Sequence, residues 1–259
     1  SDLRYGAGLP VLTSGPEEEK LRPACGRLLH VDDLGRIEGW SEWLRETSSR
    51  IPDSTSPRRS RLLRMLVASV ADQALSNTTT LEEGFAILRQ HPQVCAELLQ
   101  LLESLRSRVN HLPLTWRPDV PLTIHARYTS KEILAAVGVG TNAKVAPWQS
   151  GVFWVPSAQT DLLAFTLDKT SGEFSPTTSY KDRAISRELI QWESQSSTRA
   201  DSKTGLRYRQ HVARGTSVLL FARLCTDDRA FWFLGPATYV SHESERPMSI
   251  IWHLDHLLP

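Results

Sequence analysis

Cysteine and methionine are scarce in this sequence of 259 residues, which contains three cysteines and two methionines. Cys25, Cys95 and Cys225 lie far apart, and no CxxC pair occurs. This spacing argues against a disulfide framework and a cysteine zinc site, and it predicts a protein of the reducing cytoplasm. No apolar run reaches the roughly 18 residues of a membrane span, and residues 1–10 lack a secretion-signal pattern. We therefore expect no membrane partner.

An excess of one charge is also missing, because 30 basic and 29 acidic residues leave a formal net charge of +1. The chain as a whole therefore gives no electrostatic argument for a polyanionic partner. Residues 196–214 depart from this balance, with one acid, Asp201, and five cations: Arg199, Lys203, Arg207, Arg209 and Arg214. Such a segment is typical of a loop and hairpin arm on a phosphate backbone, although a solvated basic loop has the same composition.

Hydrophobic periodicity predicts helices in the first part of the chain. Up to Val109, apolar residues recur at spacings of three and four, and Thr80 with Glu83 has the pattern of a capping box. Three prolines then prevent a continuing helix: Pro113, Pro118 and Pro121. We expect the domain boundary there, with a helical domain at 1–115 and a second domain at 116–259.

The second domain is predicted to open with one helix and continue as strands. Thr129 or Ser130 is expected to cap that helix, which ends at Gly138. Beyond it, short runs such as DLLAFTLD, TSVLLFARL and MSIIWHL are rich in aromatic and β-branched residues and are separated by turn-forming clusters. This pattern favours a curved sheet or small barrel.

Three blocks in the second domain carry a family resemblance: FSPTTSYKDRAISRELIQWESQSSTRADSKTGLRYRQH, VLLFAR and FLGPATYVSHESERPMSIIWHLDHLLP. They closely resemble a C-terminal domain of bacterial helicase–nuclease proteins, over roughly residues 122–259. In that family, a phospholipase-D-like nuclease and a superfamily-two helicase precede a helical connector, which RLLHVDDLGRIEGW resembles. Neither a helicase P-loop nor the HxK nuclease motif occurs in this sequence. The resemblance therefore implies no catalytic residue and no enzymatic activity in this chain itself.

Some members of that family resemble modification-dependent (type IV) restriction enzymes of phage defence, whose terminal module is similar to the SRA domains that read 5-methylcytosine. The resemblance implies an α+β fold, with a helical connector domain followed by a PUA/SRA-like curved β-barrel and its flanking helices. It implies a reader that recognises a modified base, 5-methylcytosine, in double-stranded DNA by base flipping. The upstream helicase and nuclease domains would be its partners, with no cofactor and no metal.

A flipped base needs flat rings on either side and an acceptor for the cytosine amine. Candidate residues for such a pocket lie in two segments: Phe174, Thr177, Thr178, Tyr180 and Asp182 in the first, and Trp192 and Ser194 on one face of a strand in the second. The aromatic rings could equally be core side chains. Candidate contacts to the DNA backbone are Arg199, Lys203, Arg207 and Arg209, with Gln195 as a wedge or phosphate contact.

Two further clusters invite a metal interpretation that their spacing does not support. His242, Glu243, Glu245 and Arg246 in SHESERPMS fit a turn between two strands, held by a Glu and Arg pair, better than a metal site. His253, Asp255 and His256 are too few ligands to predict one. Two other functions fit the same residues: a non-specific grip on DNA ends or single strands that loads a helicase, and a protein-interaction or oligomerisation module.

Overall fold

Helices make up the first part of the chain, as the spacing of apolar residues predicts. The computed structural model describes residues 6–8, 18–46, 56–70, 80–140, 148, 151–167 and 182–259. Its first helices are α1 (Glu18–Leu21), α2 (Ala24–Arg27), α3 (Leu34–Arg45), α4 (Pro57–Val70), α5 (Leu81–Arg89) and α6 (Pro92–Arg106). The predicted capping box at α5 is confirmed, because Thr80 accepts from the Glu83 N–H at 3.1 Å and Glu83 accepts from the Thr80 N–H at 2.8 Å.

Strands dominate after the proline-rich segment. They are β1 (Arg127–Thr129), β2 (Val152–Val155), β3 (Thr160–Thr166), β4 (Arg183–Ala184), β5 (Leu189–Glu193), β6 (Ser217–Arg223), β7 (Ala230–Glu243) and β8 (Ser249–Leu254). The predicted helix between β1 and β2 is α7 (Ser130–Ala136), and Thr129 is its N-cap, with Glu132 completing a second capping box. The α+β class is therefore confirmed, with the helices mostly N-terminal.

The strands form one mixed sheet of eight, in the order β2-β3-β6-β7-β8-β5-β4, with β1 also paired to β7. β3 and β6 are parallel, whereas the other pairs are antiparallel. Within the described residues the sheet is open, so the expected barrel closure is not observed. The two outer strands of this order are β2 and β4, and β4 has two residues.

Strand β7 belongs to both halves of this sheet. Its first half pairs with β6 as far as Pro236, and its second half pairs with β8 from Ala237 onward. Between them, Gly235 has a φ of +104°, a backbone conformation that glycine adopts without a steric penalty. Register shifts at Leu220/Phe221 and Tyr239/Ser241 accompany this change of partner. Such irregularities bend a strand, so the sheet is curved as the sequence predicts.

Hydrophobic side chains pack on both faces of the sheet. One cluster joins the helices to sheet residues such as Leu162, Phe221 and Phe233. A second cluster lies on the opposite face and includes Leu163 and Trp252. Adjacent residues of β3 thus point into different clusters, which explains why β3 is almost continuously apolar. The helical part and the sheet share one of these cores.

The basic segment differs locally from the sequence prediction. Instead of a loop and hairpin arm it forms a short helix, α8 (Lys203–Arg209). The Ser202 hydroxyl caps it by accepting from the Gly205 N–H at 3.1 Å. A side chain at position 205 would place its Cβ 2.0 Å from the Arg199 carbonyl oxygen. The prediction of a hairpin arm is therefore wrong, because glycine lets the chain fold closely back on itself here.

Among the described residues, no helix is both long enough and apolar enough to cross a bilayer.

Candidate nucleic-acid interface

Arg207, one of the predicted phosphate contacts, lies against the sheet. Its guanidinium donates to both carboxylate oxygens of Asp161, at 2.6 and 2.7 Å, and lies 4.3 Å from the centre of the Trp154 ring. Its side chain is only 14% exposed, and that of Asp161 is fully buried. Burial lowers the pKa of Arg207, but the hydrogen bonds and charge of Asp161 outweigh that effect and raise it. Arg207 therefore anchors α8 to β3.

Trp192, a predicted pocket ring, is part of the second hydrophobic cluster. It is 3% exposed and meets the Tyr208 ring edge-on, with 5.6 Å between ring centres. Tyr208 in turn contacts Trp252 at 6.3 Å. Burial raises the pKa of the Tyr208 hydroxyl. Trp192 therefore packs in the core against Tyr208, which matches the core alternative for this ring.

The other described pocket candidates organise the same end of β5. The Asp182 carboxylate is buried and accepts from the Glu193 N–H at 2.8 Å. Ser194 is fully buried, and its hydroxyl accepts from the Met248 N–H at 2.9 Å. Ser194 shares the buried face of the strand with Trp192, as the alternation of side chains predicts. These contacts tie β5 to β4 and β8.

The remaining predicted residues fall into two groups. Gln195 is exposed in the turn after β5, where its carbonyl accepts from the Thr198 N–H at 2.9 Å. Arg199, Lys203 and Arg209 are exposed as well. The other pocket candidates, Phe174, Thr177, Thr178 and Tyr180, lie outside the described residues.

Exposed cations of the basic segment meet the turn between β7 and β8 at an open cleft of about 680 Å³. We call it the basic cleft, and it is lined by Arg199, Ala200, Asp201, Arg209, His242, Glu245 and Arg246. The turn holds Ser244 and Arg246 in the left-handed conformation, with φ of 59° and 61°. Such conformations are costly for residues other than glycine and cluster at functional sites. The turn expected from SHESERPMS is present between β7 and β8 and lines this cleft, but the Glu and Arg pair expected to hold it is not observed among the described residues, since Glu245 accepts from the Ala200 N–H instead.

The acids of the basic cleft are engaged locally. Asp201 accepts from Arg199 at 2.7 Å, and Glu245 accepts from the Ala200 N–H at 2.9 Å. Within the described residues, neither Arg209 nor Arg246 has a carboxylate within 4.0 Å. Among the hydrogen bonds of the described residues, Arg209 donates to the Ala200 carbonyl at 3.3 Å. Two guanidinium groups from distant segments are therefore available to an anion at one site.

Two features of this region had no usable signal in the sequence. Asp161, the partner of Arg207, lies 46 residues away from it, and nothing in the local pattern pairs them. Arg246 stood out only as a residue of a turn, and its position beside Arg209 depends on the pairing of β7 with β8. A metal interpretation gains no support, because the described residues contain no cluster of His, Cys, Asp or Glu that could hold an ion.

Comparison with known proteins identifies a family for the second part of the chain. A family model described as "Domain of unknown function (DUF3427)" matches residues 122–259, slightly more than half of the chain. A search of curated proteins finds no match. The matched region begins just before β1 and contains every strand of the sheet and the whole basic cleft.

Proposed function

The chain belongs to the DUF3427 family, and we propose that it binds double-stranded DNA at the basic cleft. The observation that carries this proposal is the convergence of Arg209 and Arg246 on one open surface, where no carboxylate of the described residues pairs with either. Arginine is the side chain best suited to phosphate, because its planar guanidinium donates two parallel hydrogen bonds. Contacts of this kind supply affinity and position the duplex without reading its sequence.

Neighbouring cations extend the same surface. Lys203 and Arg199 are exposed at the start of α8 and just before it. The pairing of Arg199 with Asp201 is exposed on both sides, with 49% and 69% of the side chains accessible. Exposed pairs contribute little, about 0–1 kcal/mol, so a phosphate could replace the aspartate at small cost. We expect Arg199 to join Arg209 and Arg246 when DNA is bound.

The finer proposal concerns a modified base. We propose that the chain reads 5-methylcytosine by flipping it, as the resemblance to SRA-like modules implies. In this proposal Asp182 and Trp192 form the inner wall of the pocket, and the rings of Tyr180 and Phe174 contact the base. Because Trp192 is packed in the core, Tyr180 is the better candidate for direct stacking.

The sheet and the helices have separate parts in this proposal. The curved open sheet corresponds to the PUA-like element, with α7 and α8 as its flanking helices. The N-terminal helices would connect the reader to upstream helicase and nuclease domains of a longer protein. The chain itself would then contribute recognition rather than catalysis.

A binding titration at controlled salt tests both levels of the proposal. One duplex is prepared with cytosine, 5-methylcytosine, 5-hydroxymethylcytosine or N6-methyladenine at a single position. A preference of about ten-fold or more for the 5-methylcytosine duplex, about 1.4 kcal/mol, supports the reader. Equal, salt-dependent binding of all four duplexes supports DNA binding and refutes the reader. Absence of binding at low salt refutes both and favours a protein-interaction module.

Variants test the contacts to the DNA backbone and the contacts in the base pocket separately. Arg209→Ala with Arg246→Ala should weaken every duplex equally and reduce the salt slope by about 2, roughly one for each lost phosphate contact. Arg108→Ala is the matched control, because Arg108 is an exposed arginine of the helical part. Tyr180→Ala should abolish the preference for 5-methylcytosine while leaving the affinity for unmodified DNA unchanged. An unchanged preference in Tyr180→Ala would refute the pocket assignment.

A further inference from the structure

One histidine of the basic cleft takes no part in the contacts described so far. His242 belongs to β7 and lines the cleft together with Arg209 and Arg246. Its Nδ1 atom lies 2.6 Å from the hydroxyl oxygen of Tyr239, a hydrogen bond between two side chains. The other ring nitrogen, Nε2, has no hydrogen-bond partner among the described residues. The imidazole therefore has one nitrogen that the protein holds and a second that can bind a ligand.

A β-bulge in β7 brings the Tyr239 hydroxyl to this imidazole. Side chains three positions apart on a regular strand point to opposite faces of the sheet. Here Val240 is an extra residue, because the register with β8 shifts immediately after Tyr239. The β8 partners of Tyr239 and His242 share one face, since they lie two positions apart, at Trp252 and Ile250. Bulges of this kind re-aim side chains and are frequent beside functional sites.

The Tyr239 side chain is itself held by its neighbours. Its ring meets Trp252 edge-on, with 6.2 Å between ring centres, and packs against the second hydrophobic cluster. Its backbone N–H donates to Nε2 of the buried His211 at 3.1 Å. Because both the ring and the backbone are held, the hydroxyl is kept beside His242 before any ligand arrives. Such preorganisation lowers the entropic cost of binding.

This hydrogen bond governs which nitrogen of His242 carries a proton. A neutral imidazole has one donor nitrogen and one acceptor nitrogen. A tyrosine hydroxyl that donates to Nδ1 leaves the single proton on Nε2, which is then a donor. In the imidazolium form both nitrogens carry protons, and the hydroxyl oxygen accepts from Nδ1–H instead. With this partner, Nε2–H can donate to a ligand in both charge states.

The charged groups around His242 leave it without an anionic partner. Those that line the cleft are Arg199, Asp201, Arg209, Glu245 and Arg246. Both acids are engaged, Asp201 with Arg199 and Glu245 with the Ala200 N–H. On the strands, the facing residues are Tyr239 and the apolar Ile250. Within the described residues, no carboxylate lies within 4.0 Å of a His242 nitrogen, so the counter-ion of a protonated His242 would come from the ligand.

We propose that His242 is a proton-linked contact to a DNA phosphate, with Nε2–H as the donor and Tyr239 as the positioning residue. The inference rests on the proposed DNA binding and adds a regulation of the same cleft by pH. Histidine side chains change charge between about pH 5 and 8, and a charged donor makes a hydrogen bond about twice as strong as a neutral one. A bound phosphate favours the imidazolium, so binding takes up a proton and the affinity rises as the pH falls.

The affinity for one unmodified duplex at constant salt, measured across this pH range, tests the contact. We expect wild type to bind about five-fold or more tightly at about pH 6 than at about pH 8. His242→Gln keeps a donor but cannot become charged, so this ratio should fall below about two-fold. His253→Gln is the matched control, because His253 is an exposed histidine of the neighbouring strand β8, and it should keep the wild-type ratio.

Tyr239→Phe tests the positioning role separately. It keeps the ring that packs against Trp252 and removes only the hydroxyl, and its unfolding midpoint checks that the fold is retained. Neutral His242 can then place its proton on either nitrogen, whereas the imidazolium always carries one on Nε2. The variant should therefore bind about three-fold or more weakly than wild type at about pH 8 and approach the wild-type affinity at about pH 6. An equal loss at both pH values would refute the positioning role.

Nuclear magnetic resonance of the His242 ring nitrogens, without DNA, adds a direct measurement. The Nε2–H tautomer is the expected result at about pH 8, and the Nδ1–H tautomer would overturn the proposal. If wild type binds no duplex at any pH, the DNA proposal fails and this contact fails with it. If wild type binds and His242→Gln leaves the pH dependence unchanged, only the inference about His242 fails.

Discussion

Replacing Arg36 with methionine should severely destabilise the protein. The Arg36 side chain lies between the helical part and the sheet, where it ion-pairs with Asp33 and Glu132. Its guanidinium also lies 4.1 Å from the centre of the Tyr128 ring. Methionine keeps much of the apolar volume but leaves two buried carboxylates without this cation. We therefore expect a loss in the free energy of unfolding.

The magnitude follows from the burial of the network. Removing one partner of a buried pair costs about 3–5 kcal/mol, because the remaining charge stays desolvated. A domain is stable by only about 5–15 kcal/mol in total, so the variant should be close to its limit. Replacing Glu132 with glutamine in the same chain removes one of the two buried carboxylates that lost Arg36 as a partner. The double variant Arg36→Met with Glu132→Gln should therefore recover about 1–2 kcal/mol of that loss.

The loss should depend on pH in a defined direction. Burial raises the pKa of the Glu132 carboxyl, but the charges of His30 and Arg36 outweigh this and hold it well below its usual value of 4.5. A lowered pKa in the folded state stabilises the protein above pH 4.5 and ceases to do so as the pH falls through the folded value. Without Arg36, the pKa of Glu132 rises. The difference in stability between wild type and variant should therefore be largest near neutrality and shrink in acid.

Urea denaturation followed by tryptophan fluorescence measures this difference, at neutral pH and at successively lower pH. Trp40 and Trp43 are buried in the helical part and report on its unfolding. A destabilisation below about 1 kcal/mol at neutral pH would refute the argument from burial. So would a difference that grows in acid, or a double variant less stable than the single one.

Two further predictions concern the anchoring of α8. Gly205→Ala should destabilise the chain by about 1–3 kcal/mol or more and weaken DNA binding, because the new Cβ would lie 2.0 Å from the Arg199 carbonyl oxygen. Thermal unfolding measures the loss of stability, and the duplex titration measures the loss of binding. An unchanged midpoint of thermal unfolding would contradict the close approach of the two segments. Asp161→Leu should cost about 3–5 kcal/mol by leaving Arg207 unpaired, and Arg207→Met in the same chain should restore part of it. A double variant without recovery would show that the pair is not the cause.

Local sequence patterns predicted the elements that are stabilised by contacts between residues close together in the chain. The capping box at Thr80 and the cap at Thr129 both depend on residues three positions apart, and the structure has both. The strand periodicity likewise identified β3, β6 and β8, because each alternates or continues in hydrophobicity over at least six residues. Helix α8 was missed because glycine and arginine in a polar segment resemble a loop, and its position depends on packing at Gly205.

The site depends on contacts between distant residues, which periodicity does not report. Arg36 and Glu132 are separated by 96 positions, and Arg207 and Asp161 by 46. Sequence composition identified the basic segment correctly as a cluster of cations. It gave no means of distinguishing Arg207, which is paired and mostly buried, from Arg209, which faces the cleft. Only the order of the strands brings Arg246 into the same place.

The long strand β7 has a consequence for how the chain folds and opens. One half of β7 pairs with β6 and the other half pairs with β8. Because both halves belong to one strand, we expect the β6–β7 and β7–β8 pairs to form and to open together. We expect the backbone amides of β7 that pair on both sides of Gly235 to exchange hydrogen at the same slow rate, set by global opening. Cleaving the chain within this strand would then abolish folding of both fragments rather than release two independent units.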